Sequence, residues 1–403
     1  MDIESKFADI TRNLRGSAVR DLLKYADRPE VISFGGGMPN PLSFPLNEIK
    51  EIIDHILDNY GAKALQYSST DGVEEFREEV SRRINSRYGF KSTKSDIIAL
   101  NGSQTGLYMV SKVFLNKGDY VISEAPTYVG AITAFNAQAP VWAPVDLQDD
   151  GMNIEILEES IKKVISQGKI PKFIYVIPTF QNPAGLTWSL DKRKNLLEIA
   201  SKYDLIIFED DPYGELRFDG KEIKPIKSLD TEGRVIYMGT FSKVLSPGIR
   251  LGFIYANSDI NKKINLLKQG VDLCTSTFSQ YIAAEYLKRG IIDRQIPKIV
   301  QLYRKKRDIM IEALETYMPS DTKFTRPDGG MFLWVTLNEK IDTEKMLKKA
   351  LEFNVAYVIG SAFYPDGRGR NSMRLNFTFS KDEDIVEGIK RLSRAVREGY
   401  GLC

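Results

Sequence analysis

From about residue 95 onward, short apolar runs alternate with segments whose apolar positions recur at helical spacing. The runs are 97–100 (IIAL), 120–123 (YVIS), 141–145 (VWAPV), 173–177 (FIYVI), 205–210 (LIIFED), 235–239 (VIYMG) and 251–256 (LGFIYA). Amphipathic stretches such as 103–115 (SQTGLYMVSKVFL) and 189–203 (SLDKRKNLLEIASKY) lie between them. Strands that are apolar throughout, with helices between them, predict an α/β fold built on a mostly parallel sheet covered on both faces. Seven such strands fit one large domain. Beyond residue 258 the pattern turns helical to about Tyr317, and a smaller α+β unit follows, with strands near 329–337 and 372–379. Ahead of the sheet, a helix is predicted to end near Tyr25. Residues 31–45 (VISFGGGMPNPLSFP) then hold too much Gly and Pro for a regular element but carry Phe34, Met38 and Phe44. An ordered loop where backbone closely approaches a ligand is the natural expectation. Chain termini usually lie close together, so the first residues should pack with the C-terminal unit. This gives a large domain over 46–290 and a small one formed by 1–45 with 291–403.

Composition removes several classes of function. The 403 residues carry 56 Lys plus Arg against 54 Asp plus Glu, a net charge of +2 that gives no reason to expect a nucleic-acid binder. No stretch approaches the roughly 18 apolar residues of a membrane span. The N-terminal residues mix acids and bases and lack the apolar core of a secretory signal. Two cysteines, Cys274 and Cys403, suggest no disulfide framework and fit a reducing cytoplasm. The only imidazole is His55. A multi-histidine metal site is therefore excluded, and no metal is expected. His55 sits in a helical pattern with Ile49, Ile52, Ile53, Ile56 and Leu57, which predicts a surface or half-buried helix position. Chemistry must then rest on lysine, acids, tyrosine or a cofactor.

Ligands of open parallel sheets bind beyond the carboxyl ends of the strands. After the first strand, Asn101–Leu107 reads strand, glycine turn, helix start, so Ser103 and Gln104 would sit at a helix N-terminus able to hold an anion. It lacks the GK[ST] of a Walker A loop and is not GxGxxG; alone it could equally be a capped helix. After the fourth strand, Pro178–Gly185 places Asn182 before a proline, by itself a turn. After the fifth come Glu209, Asp210 and Asp211, then Pro212 and Tyr213. Adjacent carboxylates repel, so at least one should pair with a cation, unless the segment is a solvated loop. After the sixth, Lys243 stands between Ser242 and Val244, with Arg250 seven residues on. A lysine desolvated there would have a lowered pKa and could form an imine with an aldehyde. In this order the segments supply what pyridoxal 5′-phosphate needs: an amine for its aldehyde, a carboxylate for its ring nitrogen, donors for its ring hydroxyl and an anion cradle.

At that conjunction the chain resembles the fold-type I, class I/II pyridoxal-phosphate aminotransferases, and within them the 2-aminoadipate, kynurenine and aromatic enzymes. The likeness runs from SAVRDLL and GGGMPNP through LQYSSTDG, EDDPYGEL and SKVLSPGIRLG to PDGGMFLWV and MRLNFTF. It implies Lys243 as the Schiff-base lysine, Asp210 as partner of the ring nitrogen, and Tyr213 and Asn182 as donors to the ring hydroxyl. It implies Ser103, Gln104, Thr240, Ser242 and Arg250 around the phosphate, Tyr128 stacked on the ring, and Pro212 beside Asp210. Arg374 would hold the substrate carboxylate, which suits a guanidinium fork. Gly36 would lie in a loop covering the substrate, and Arg20 would meet its side chain. Tyr67 would reach the neighbouring subunit's phosphate, making a homodimer the active form. The implied reaction moves an amino group from an amino acid, with glutamate as partner, to a 2-oxo acid such as 2-oxoglutarate. A C–S β-lyase or a decarboxylase on the same scaffold would share the cofactor shell. A ligand-sensing domain behind a DNA-binding module is the remaining alternative, and the motifs begin near residue 20, leaving no room for that module.

Overall fold

A computed structural model describes residues 1–12 and 28–400 of the chain. All seven apolar runs form strands of one sheet. In chain order, after a short β1 (Ile32–Ser33), they are β2 (Ile97–Leu100), β3 (Tyr120–Ala125), β4 (Val141–Gln148), β6 (Phe173–Val176), β7 (Ile206–Asp211), β8 (Val235–Thr240) and β9 (Gly252–Tyr255). An eighth, two-residue strand, β5 (Gly151–Met152), turns back on β4 and has no apolar run to announce it. The spatial order is β2-β9-β8-β7-β6-β3-β4-β5. The pairs from β4 through β8 are parallel, and only β9 and β5 run against their neighbours.

Side chains alternate across this sheet. Phe173, Tyr175, Phe208, Ile236 and Met238 enter one buried cluster with residues of the helix Ser103–Phe114. Ile174, Val176, Ile207 and Val235 enter the opposite one, with the helices Ile154–Ser166 and Leu190–Lys202. Cover on both faces is weakest at β4, near the sheet edge, where Val145 alone is fully buried. An edge is also where Pro144 can be held without breaking a central ladder.

Helices Ser258–Val271, Thr277–Lys288 and Ile291–Tyr317 follow, as the pattern predicts. A second sheet then orders β10 (Lys323–Phe324), β11 (Phe332–Thr336), β14 (Ser372–Asn376) and β13 (Val358–Ile359), all antiparallel. A third, two-stranded piece pairs β1 in parallel with β12 (Val355–Ala356). Phe34, fully buried, continues the contact: a Cβ at Gly388 of the helix Asp382–Tyr400 would lie 2.5 Å from its ring. His55 lies half-buried in the helix Leu46–Asn59, its Nε2 3.7 Å from Glu285. The predicted helix ending near Tyr25 lies outside the described residues. No described helix is long and apolar enough to cross a membrane.

The Gly388 contact is what fixes the segment leading into residues 35–37. Gly388→Val should therefore cost about 1–3 kcal/mol by overpacking, read as a lower denaturant midpoint with an unchanged slope.

Candidate active site

The carboxyl ends of β2, β3, β6, β7 and β8 open into one cavity of about 660 Å³. The loop at Gly37 and two strands of the small sheet, β11 with Phe332 and β14 with Arg374, help complete its wall.

From β7 come Asp210, Pro212 and Tyr213. Alternation separates the three acids. Asp210 shares the face of Phe208 and Tyr175, whereas Glu209 and Asp211 point to the other side of the sheet. All three are buried, which removes the solvated-loop reading. Their direct hydrogen-bond partners are uncharged, and the cation expected near the run is the buried Arg193, whose charge acts on Glu209 and Asp211 through space. Glu209 accepts from the backbone N–H groups of Ile226 and Lys227, both at 2.8 Å. Asp211 accepts from the Tyr237 hydroxyl at 2.8 Å and the Gly214 N–H at 3.0 Å. Asp210 accepts through Oδ2 from the Tyr175 hydroxyl at 2.8 Å, and its buried Oδ1 has no partner. Burial pushes the Asp210 carboxyl up to about 7, the nearby Asp211 adds to the rise, and the Tyr175 hydrogen bond opposes it.

From the turn after β8, Lys243 reaches into the same cavity and donates to the Gly37 carbonyl at 2.8 Å. Burial lowers its amine to about 8, helped by the positive charges of Arg374 and Arg250. A neutral, nucleophilic amine is thus accessible near neutral pH.

Thr240, Ser242 and Arg250 line the far end opposite Ser103 and Gln104 at the start of the helix Ser103–Phe114. Gly102 precedes that helix at φ +78°, and a Cβ there would stand 2.5 Å from the Arg250 guanidinium. Only glycine allows this combination of backbone angle and close approach. A helix N-terminus with an arginine folded against it is a phosphate cradle. Tyr128, just before the helix Val129–Asn136, leans over Gly130, where a Cβ would be 2.4 Å from its ring.

Asn182 accepts from Arg374 Nη1 at 2.9 Å and donates to the Tyr213 hydroxyl at 3.3 Å. Arg374, on β14, also donates through Nη2 to the Gly35 carbonyl at 2.8 Å, and its guanidinium lies 4.1 Å from the Phe332 ring centroid. Burial pulls it down to about 10, still charged at neutral pH, and its Nε has no partner.

Twelve sequence-predicted residues therefore meet in one cavity: Ser103, Gln104, Tyr128, Asn182, Asp210 and Pro212 from the earlier strand ends, with Tyr213, Thr240, Ser242, Lys243, Arg250 and Arg374 from the later segments. Gly36 is buried just behind the wall; its neighbours Gly35 and Gly37 make the contacts. Tyr67 is 77% exposed and does not reach the cavity of its own chain. Arg20 lies outside the described residues. Sequence reasoning missed Gly37, Phe332 and Ile177 of the lining, and Tyr175 beneath it. The glycine-rich loop was a usable signal for the first. The other three sit in apolar runs that read as core.

Two features test whether pyridoxal phosphate fits. A buried carboxylate oxygen without a partner matches a protonated ring nitrogen, and the glycine-shaped cradle between Ser103 and Arg250 matches the phosphate. Both agree with the group.

Residues 30–392 match the family described as aminotransferase class I and II. An aromatic-amino-acid aminotransferase from Thermococcus litoralis is 47% identical over 99% of this chain and 95% of its own. The crystal structure of Pyrococcus horikoshii kynurenine aminotransferase, solved with PMP, superposes with a TM-score of 0.96 at 48% identity, covering 99% of this chain and 98% of that one. An α-aminoadipate aminotransferase from Thermus thermophilus, complexed with N-(5′-phosphopyridoxyl)-L-leucine, gives 0.92 at 36% identity over 100% of both chains.

Lys243 should titrate near pH 8 in cofactor-free protein, measured as the midpoint of its pH-dependent acylation rate. Arg250→Met removes a like charge, so the protonated amine becomes easier to form and the midpoint moves upward.

Proposed function

The chain belongs to the class I and II aminotransferases, pyridoxal-phosphate enzymes of fold type I, and we propose the following roles for its residues on that premise. Lys243 is the amine that holds the cofactor and then takes the Cα proton of the amino acid onto Nζ. Its lowered pKa is the property this needs, since a protonated amine could do neither. Asp210 Oδ1 holds the ring nitrogen in its protonated form. With that nitrogen protonated, the bound cofactor supplies an electron sink for the pair released at Cα. Asn182 and Tyr213 position the ring hydroxyl. Ser103, Gln104, Thr240, Ser242 and Arg250 hold the phosphate, while Tyr128 covers the ring. Arg374 holds the substrate carboxylate by its fork, and its own bonds to Asn182 and Gly35 fix that fork in place. The observation that carries this reading is that Lys243, the half-free Asp210 and the half-free Arg374 face one cavity.

Phe332, which stacks on Arg374, and Ile177 and Val129 give the cavity an apolar part of its wall. This apolar lining, with the aromatic, kynurenine and aminoadipate preferences of the relatives, supports a broad donor range of aromatic amino acids and 2-aminoadipate, with 2-oxoglutarate and glutamate as the shared pair. The proposed active form is a cytoplasmic homodimer. Exposed Leu42, Leu46, Leu65 and Tyr67 support it by offering an apolar stretch from which Tyr67 could reach a partner's cavity. The proposed domains are 46–290 and, joined through the β1–β12 pair, 1–45 with 291–403.

The test is an absorption spectrum of the holoenzyme with glutamate and no 2-oxo acid. The visible band should shift to that of the amino form of the cofactor, and titrations with phenylalanine and 2-aminoadipate should do the same. A band that no amino acid moves would refute the aminotransferase roles. Lys243→Ala should lower turnover by at least about 10³-fold, the scale for loss of a proton-transferring group.

A further inference from the structure

Strand β7 carries two buried aspartates on opposite faces, and each accepts a hydrogen bond from a buried tyrosine on the adjacent strand. Tyr175 of β6 serves Asp210, and Tyr237 of β8 serves Asp211, both at 2.8 Å. The pairs look alike and end differently. Asp211 uses its second oxygen on the Gly214 N–H, so it is closed within the fold. Asp210 leaves Oδ1 buried and unpartnered toward the cavity. We propose that Tyr175 is a positioning residue for the cofactor's ring nitrogen, acting through Asp210, whereas Tyr237 is structural.

The inference rests on the role given above to Asp210. The Tyr175 hydroxyl holds Oδ2, so it fixes the carboxyl plane and leaves a single oxygen to face the ring. It is also the one hydrogen bond that Asp210 makes among the described residues, and so the one group that stabilises its ionised form there. The surroundings work the other way. Asp211, beside it on β7, adds negative charge, whereas burial pushes Glu124 at the end of β3 up to about 8, and Tyr128 and Tyr213 stand near as neutral phenols. The cations of the cavity, Lys243, Arg250 and Arg374, show no hydrogen bond or ion pair to it. Tyr175 itself cannot move away: its ring is fully buried between Phe135 and Phe208, with centroids at 5.3 and 5.5 Å. A phenol locked by two aromatic neighbours therefore sets the orientation and charge of the residue that grips the ring.

The test is a double-mutant cycle on the holoenzyme with Tyr175→Phe, Asp210→Asn and the pair, and Tyr237→Phe as the matched control. Two quantities are read: the rate at which bound cofactor is lost on dilution, followed by its visible absorption, and the rate of a single half-turnover with glutamate. Phenylalanine keeps the ring packing, and thermal unfolding reports any general loss of stability. Tyr175→Phe should speed cofactor loss and slow the half-turnover by about tenfold each, the scale of a hydrogen bond to a charged group. It should leave the KM for glutamate unchanged. In the Asp210→Asn background the same substitution should have almost no further effect. Tyr237→Phe should lower the unfolding midpoint as much and change neither rate. Equal effects of the two tyrosine variants on both rates, or additive effects of Tyr175→Phe and Asp210→Asn, would overturn the inference. A normal cofactor-loss rate and half-turnover in Asp210→Asn alone would instead overturn the role of Asp210 itself. Should Tyr175→Phe not fold, replacing the tyrosines with a fluorinated tyrosine in the Tyr237→Phe protein gives the second test. The more acidic phenol should strengthen the bond and slow cofactor loss in the Asp210 protein but not in Asp210→Asn, and equal changes in both would again overturn it.

Discussion

A carboxylate buried at the floor of a cavity, with one oxygen held and the other free, is expensive to keep in a folded protein. Asp210 is such a group, and much of the molecule is arranged around it. The parallel strands bring it to the carboxyl edge of the sheet. The alternation along β7 turns it to the face opposite Glu209 and Asp211, although Asp211 still lies close enough to raise its pKa. Lys243 and Arg374 arrive from a loop and from the second sheet to face the same space, and Arg374 Nε has no partner there. A cationic ring nitrogen would complete the free Asp210 oxygen, and that links the fold to the cofactor.

The second dependence is on backbone rather than side chains. The glycine-rich segment 35–37 gives its carbonyls to Arg374 and Lys243, so the two functional cations are tied to the same loop. That loop is held in turn by the pairing of β1 with β12 and by Phe34 against Gly388. Contacts in the C-terminal helix therefore bear on the geometry of a lysine that follows β8. Gly102 plays the matching part at the phosphate end, where absence of a side chain lets Arg250 close on the helix N-terminus.

Most of this was legible in the sequence. The seven strands were found because each carries a continuous apolar run, and strand-end chemistry followed from where ligands of parallel sheets bind. Twelve site residues were named from their position after a strand or from the family resemblance. What escaped did so for physical reasons. Strand β5 is two residues long and held by a hairpin, which leaves no hydrophobic period to read. Tyr175 and Phe332 look like core because they are core on every side but one. The acidic run at the end of β7 has Arg193 nearby, but its direct partners are backbone N–H groups and tyrosines, which no side-chain pattern marks. Tyr67 is exposed and lies away from the cavity of its own chain, so nothing within one chain marks its role.

The central claim is that Lys243 moves the Cα proton while Asp210 and Arg374 hold the two ends of the reacting assembly. Exchange of the glutamate α-proton for deuterium, followed by NMR in deuterated buffer with holoenzyme and no 2-oxo acid, measures that step directly. The account predicts rapid exchange in the unaltered protein and its loss in Lys243→Ala reconstituted with cofactor. Exchange that persists undiminished in the Lys243→Ala protein would contradict it.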